Sequence, residues 1–342
     1  MSIFVVGIDV SRQMLDVAVA SDKQSATYLG QYTNDDSGME RLFQAVEQTA
    51  GDATIHLVME PTGGYEQPLA HLALNRGWQV SLPNPRHVRD WAKSQGRRAK
   101  TDRQDALLLA RYGANHELPL WQPLPVPVAE LEALLDRRTD LEGMLRQERN
   151  RQHALVSRDA FTGPVAASVQ AAIAWLEEAI ATIEADIDEH LNRYPELREE
   201  ARRLRQVPGI GARNVLPILV LLHRWGSLTC FLGTARGLTA YVGLDPQPYR
   251  SGTSIRRPSA ISRQGAPAIR SLLFMSALGG ARGYNVLREF YQRLVAAGKP
   301  KKLALIAAAR KILVWAWAVF RDHANFDPML ASGAESASLP VA

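Results

Sequence analysis

The 342-residue chain has one cysteine, Cys230. That excludes a disulfide framework and any Cys-based zinc site, and it suits a reducing compartment. Its eight histidines fall in no ligand spacing. No G-x-x-x-x-G-K-[ST] phosphate loop is present, and Gly209-Ile210-Gly211 lacks the strand and third glycine of a dinucleotide fingerprint. No apolar stretch reaches membrane-spanning length, because LALIAAARKILVWAWAVF is broken by Arg310 and Lys311. The first residues run straight into a strand pattern, without the basic start, apolar run and cleavage site of a signal peptide. A cytoplasmic protein with no membrane partner is expected. The most informative shortage is of acid. From Pro246 to Arg321, fourteen Lys/Arg face a single acid, Glu289. The local balance is +13 against +5 for the whole chain, which leaves −8 elsewhere. So long a basic run is the electrostatic footprint of a polyanion, and nucleic acid is the expected partner rather than solvent alone.

What is there divides into four parts, 1–120, 121–203, 204–325 and 326–342. In the first, FVVGIDV and LDVAVA pattern as a hairpin, with SATYLGQYT as a third strand. Helix over Gly38–Thr49, buried strand TIHLVME, helix EQPLAHLALNRG and strand WQVSLPN follow. A hairpin followed by strand–helix alternation predicts an α/β domain with a mixed sheet. WQPLPVPV, with three prolines in eight positions, reads as a linker. A helix over 129–158 comes next. Val169, Ile173, Leu176, Ile180, Ile183 and Ile187 then step as a heptad seam. The two helices form an arm that pairs within the chain, between subunits, or both. QVPGIGARNV places a Gly turn between helical patterns, as in a helix–hairpin–helix. A loop is expected from Asp245 to about Gly265, helices from about Ala268, Val286 and Leu303, and a disordered tail beyond Asn325.

Four carboxylates carry the chemistry. Asp9 in GIDVS and Glu60 in VMEPTGGY close apolar, β-branched runs, while Asp102 and Asp105 in KTDRQDA share one face at a helix start. Each alone is an ordinary cap or turn acid. Together on one fold they would repel one another and call for a divalent cation, with oxygen-only ligands suiting Mg²⁺ or Mn²⁺. Strand–Asp–turn–strand also opens the actin-like ATPases and kinases, which the basic C-terminal half and the Asp-x-x-Asp pair disfavour. In the basic half, Ser251 lies in YRSGTSIRR with Arg250, Arg256, Arg257, Arg263 and Arg270 nearby. A serine attacking a phosphodiester needs such arginines to neutralise its oxygens. Ser254, Ser259 and Ser262 are neighbours, and composition does not choose among them.

GIDVS, MEPTGGY, KTDRQDA, PGIG and Y-x-GL-x-P-x-x-Y-x-SG-x-S-x-R, in that order, resemble the DEDD-type insertion-sequence transposases, the bridge-RNA-guided recombinases related to the Piv invertases. The resemblance covers about residues 3–115 and 204–320. It implies a RuvC-like, RNase H-fold N-terminal domain, a helical coiled-coil arm and a mainly α transposase domain. It implies that Asp9, Glu60, Asp102 and Asp105 are the Mg²⁺-binding tetrad and that Ser251 is the nucleophile. Arg97, Arg98, Lys100, Arg250, Arg256, Arg257, Arg263 and Arg270 would contact nucleic acid. Donor and target DNA, a structured guide RNA and a homo-oligomer, a dimer or tetramer with active sites shared between subunits, are the partners it implies. The chain departs from relatives at ISRQG, where a Lys often precedes the Gly turn. A hydrolytic RuvC-like junction endonuclease is the main alternative.

Overall fold

The computed structural model describes residues 3–96, 101–158, 160–229, 231–251 and 255–333, with the backbone alone at 248–251, 255–259 and 332–333. The chain divides into two compact units, residues 1–123 with 227–230, and residues 124–226 with 231–342.

The first unit is built on a five-stranded sheet in the order β3-β2-β1-β4-β5. β1 (Ile3–Val10), β2 (Met14–Ala20) and β3 (Thr27–Thr33) form an antiparallel meander. β4 (Thr54–Met59) and β5 (Gln79–Ser81) run parallel to β1. β1 is therefore the central strand, and both its faces are covered. Phe4, Val6, Ile8 and Val10 pack with Leu42, Phe43 and Val46 of α1 (Asp36–Ala50) and with Leu69, Ala70 and Ala73 of α2 (Gln67–Asn75). Val5 packs on the opposite face with Ala18, Ala20, Val58 and α4 (Asp102–Asn115). Burial on two faces explains why β1 reads as one continuous apolar run rather than an alternation. α3 (Pro85–Ser94) lies between β5 and α4 in sequence. The mixed sheet predicted from the sequence is present, and α1 falls within two residues of its expected bounds.

The second unit is mainly helical. α5 (Val126–Val156) and α6 (Gly163–Arg193) pair as a helical hairpin within the chain, and Arg149 and Glu177 bridge them at 2.7 Å. Leu131 and Leu135 of α5 join Ile187 and Leu191 of α6 in the unit's core. α7 (Pro195–Leu204), α8 (Val215–Thr229), α9 (Ala235–Val242), α10 (Pro267–Gly280), α11 (Val286–Ala296) and α12 (Lys301–Arg321) complete that core. α12 is long and apolar enough to cross a bilayer by length and composition, which the sequence reading did not expect. Here it is a core helix, with Ala308, Ile312, Leu313, Ala316 and Trp317 almost fully buried.

Two expectations are corrected. The loop expected from Asp245 to Gly265 is mostly a hairpin, β6 (Pro246–Ser251) and β7 (Ile255–Ile261), because Tyr249, Ile255 and Ile261 favour extended backbone and the strands pair antiparallel from Pro246–Ile261 to Ser251–Ile255. The tail expected to be disordered carries α13 (Pro328–Gly333) just beyond Asn325. Asn325 accepts from Gln206 at 2.9 Å, and Phe326 N donates to the same glutamine at 3.1 Å, so its first residues are tied to the core.

Candidate active site

Asp9 is the penultimate residue of β1, on the face that also carries Val5 and Gly7. Glu60 follows the last residue of β4. Because β4 runs parallel to β1 with Ile8 opposite Met59, both acids emerge at the same sheet edge. α4 supplies the other two. A Cβ on Gly7 would lie 2.1 Å from Ala110 N and 2.5 Å from Ala106 O, and one on Gly113 would lie 2.7 Å from Val5 and Val58. Glycine at these positions lets the helix backbone touch the sheet. Going up β1 from Val5 to Gly7, the helix contact moves back from Gly113 to Ala106. The next step up β1 is Asp9, and the next helical turn back holds Asp102 and Asp105. Thr101 caps this helix start, accepting from Gln104 N at 3.3 Å.

The electrostatics match that geometry. The Asp9 carboxyl is pushed up to about 7, first by burial and then by the charges of Asp105, Asp102, Glu60 and Asp16. All four predicted acids thus bear on one point. They do not close into a ligand cage, for among the described residues no three His, Cys, Asp or Glu side chains converge tightly enough to hold a metal ion. The donor set is all carboxylate oxygen and suffers mutual repulsion, so it fits a hard divalent cation.

Sequence reasoning missed three residues around this edge. Asp16, only 5% exposed, is the cross-strand partner of Asp9. Its oxygens accept from the Tyr28 hydroxyl at 2.6 Å and from Gln31 Nε2 at 2.9 Å. The hairpin register would have revealed it, since GIDVSRQMLD sets the two aspartates opposite each other once the turn length is known. Glu66, 3% exposed, accepts from Thr62 N at 2.9 Å and Gly64 N at 3.1 Å, which fixes the turn that follows Glu60. Asn34 donates to Ser11 O at 2.8 Å and to Tyr65 O at 3.4 Å, joining the loops beyond β1 and β4. Nothing local in the sequence marks Glu66 or Asn34, because their roles come from where the loops meet.

The other predicted residues fall in several places. Arg97, Arg98 and Lys100 lie outside the described residues, as does Ser254. Ser251 ends β6, its backbone paired with Ile255, and Arg250 pairs with Arg256 and Tyr249 with Arg257. Arg263 is exposed at a positive φ of 57°, just past β7. Arg270 is half-buried and donates to the carbonyls of Val242, at 3.2 Å, and Gly265. It braces its own unit. Ser262 is buried and donates to Asp245, which sets it apart as a structural residue.

Residues 6–158 match the transposase family DEDD_Tnp_IS110, so the mixed sheet with its acidic edge is an RNase H-like transposase domain. Residues 201–292 match the family described as Transposase IS116/IS110/IS902. The chain is 35% identical over 327 residues to the pilin gene-inverting proteins of Moraxella lacunata and Moraxella bovis, covering 94% of this chain and 97% of each of those. It is 30% identical over 174 residues to the insertion element IS110 uncharacterized 43.6 kDa protein of Streptomyces coelicolor, covering 51% of this chain and 41% of that one. The chain is an enzyme of DNA recombination. It belongs to the IS110 family of DEDD transposases.

Proposed function

We propose that this chain is a site-specific DNA recombinase, an insertion-sequence transposase, which cuts and rejoins DNA through a covalent serine–DNA intermediate. The observation that carries the reading is that the charges of Asp105, Asp102 and Glu60 all bear on the half-buried Asp9 at one sheet edge. These four residues would hold Mg²⁺ or Mn²⁺. A cation there would supply Lewis acidity to a phosphoryl oxygen and stabilise charge on the attacking or leaving oxygen. Ser251 Oγ would give up its proton and form a bond to phosphorus as the bond from phosphorus to the 3′ oxygen breaks. The 3′ oxygen takes a proton and leaves as a free hydroxyl. The new ester keeps the phosphodiester's bond energy, so strands are rejoined without ATP. Arg250, Arg256, Arg257 and Arg263 would neutralise phosphate oxygens around the serine, and Arg97, Arg98 and Lys100 would do so near the acids.

The domain reading is a RuvC-like unit to about residue 120, an arm over 121–203 that acts as a coiled coil, and a transposase domain over 204–325. The protein works in the cytoplasm on donor and target DNA, as a dimer or tetramer whose sites combine domains of different subunits. Guidance by a structured RNA rests on family resemblance alone. A structured non-coding segment in the DNA flanking the gene would support it.

The test is chemical. On a substrate nicked near the cleavage point, a protein–DNA adduct should survive denaturant, and mass spectrometry of its peptide should place the DNA on Ser251. Ser251→Ala should lose the adduct and keep DNA binding, since one hydroxyl adds little to a charge-driven interface. Cleavage by Ser251→Ala at the wild-type rate, leaving free 5′-phosphate, would instead establish the hydrolytic endonuclease.

A further inference from the structure

Arg103 occupies the first turn of α4 between Asp102 and Asp105. Two acids so close would ordinarily draw a guanidinium into an ion pair. Here it lies over the ring of Tyr28 instead, with Cζ 4.7 Å from the centroid. Among the described residues that ring is its only partner. Tyr28 is itself anchored. It stands on β3 beside β2, and its hydroxyl donates at 2.6 Å to the buried Asp16, whose other oxygen is held by Gln31 at 2.9 Å. Burial and the bond to Asp16 hold the Tyr28 phenol up at about 12, so it stays a neutral donor. A phenol donating to a carboxylate carries extra electron density in its ring, which strengthens its attraction for a cation. Asp16 in turn faces Asp9 across the β1–β2 pair. A chain of three side chains therefore runs from the sheet beside Asp9 to an exposed guanidinium at the acidic edge.

That arrangement has a purpose at such a site. Four carboxylates repel the polyanion they act on, and a cation already paired to one of them would contribute little. A guanidinium held by an aromatic face keeps its N–H donors available, and its planar fork matches two oxygens of a phosphate. Stacking also removes rotamer freedom that a free arginine would lose on binding.

We propose that Arg103 is a phosphate-binding residue of the acidic edge, gripping non-bridging oxygens of a nucleic-acid phosphodiester brought to Asp9, Glu60, Asp102 and Asp105, with Tyr28 and Asp16 as the positioning pair behind it. This rests on the nucleic-acid reading of the preceding section.

The experiment uses the full chain and a short fluorescein-labelled duplex of random sequence, titrated in Ca²⁺ over a range of salt. Arg103→Ala should raise Kd about five- to tenfold and flatten the log–log salt slope by about one unit. Tyr28→Leu should reproduce both effects although no charge is removed. Tyr28→Phe keeps the ring and should lie between it and wild type. Mn²⁺ binding to the DNA-free protein, measured by calorimetry, should be unchanged or tighter in Arg103→Ala, since a nearby positive charge is gone. A wild-type slope and Kd in Arg103→Ala would overturn the inference. So would a loss of Mn²⁺ binding in that variant, because the arginine would then be shaping the acidic edge rather than meeting phosphate. If the wild-type protein itself binds the duplex without salt dependence, it is the nucleic-acid reading that fails.

Discussion

At Asp9, burial and four neighbouring charges set a conflict that pH exposes. Its carboxyl stands at about 7 in the folded chain against an ordinary 3.8. Between those values the folded state binds the proton that the unfolded state has released. The stability present below about pH 4 is therefore lost as pH rises through about 7. In chelator, thermal stability should decline over that window. Asp9→Asn should remove the decline and stabilise the protein at pH 8 by about 1–2 kcal/mol, a figure discounted from the full shift because the group keeps some contact with water. At pH 5 the variant should melt close to wild type, and in Mg²⁺ it should not recombine DNA. Recombination at the wild-type rate by Asp9→Asn would remove the acidic edge from the mechanism. Asp9 was legible in the sequence because strand–Asp–turn–strand is a local pattern. Asp16 and Glu66 were not, since one acts through cross-strand register and the other through a turn that no periodicity reports.

α4 reaches the sheet only because Gly7 and Gly113 offer no side chain. Gly7→Ala would drive a methyl group to within 2.1 Å of the Ala110 backbone nitrogen. The helix would have to lift, costing about 2–4 kcal/mol and moving Asp102 and Asp105 away from Asp9. Thermal melting and Mn²⁺ calorimetry should both report the change, and an unaltered Mn²⁺ affinity would mean that α4 does not set the site. The arm tells the complementary story. Its heptad seam was visible, but spacing alone does not say what covers it. In the fold α5 covers it, with Val169, Leu176 and Ile187 buried and Ile173, Ile180 and Ile183 half-buried. Leu176→Asp should therefore destabilise the second unit by about 3 kcal/mol and lower its melting temperature. Smaller assemblies by light scattering with an unchanged melting temperature would show that the seam works chiefly between subunits. The β6–β7 hairpin escaped the sequence reading because its Pro, Ser and Gly content mimics a loop, and its two short strands carry no clean apolar–polar alternation to mark them.

Across the whole chain, the segregation of charge was legible in the sequence, and the fold refines it. Not all fourteen cations between Pro246 and Arg321 are free. Arg270 is bonded to carbonyls, and Lys311 lies over Phe290 and Trp315, with its amine held below the usual lysine range by burial, then by Arg293 and Arg310. DNA affinity should still fall by about 10³ between 50 and 200 mM salt if roughly six phosphates are neutralised. Replacing Arg256 and Arg257 together should flatten the slope by about two units, and a slope near zero in the wild type would mean a merely solvated face. The order of the strands bears on time as well as on space. β1, β2 and β3 are neighbours in sequence and in the sheet, so their meander closes early. The partner acids on α4 lie most of the unit's sequence away from Asp9, and their docking is among its most distant closures. On the ribosome, a nascent chain would carry Asp9 on a formed hairpin long before α4 emerges. The acids come together only once nearly the whole unit has been made, so a half-synthesised chain does not yet present the acidic edge.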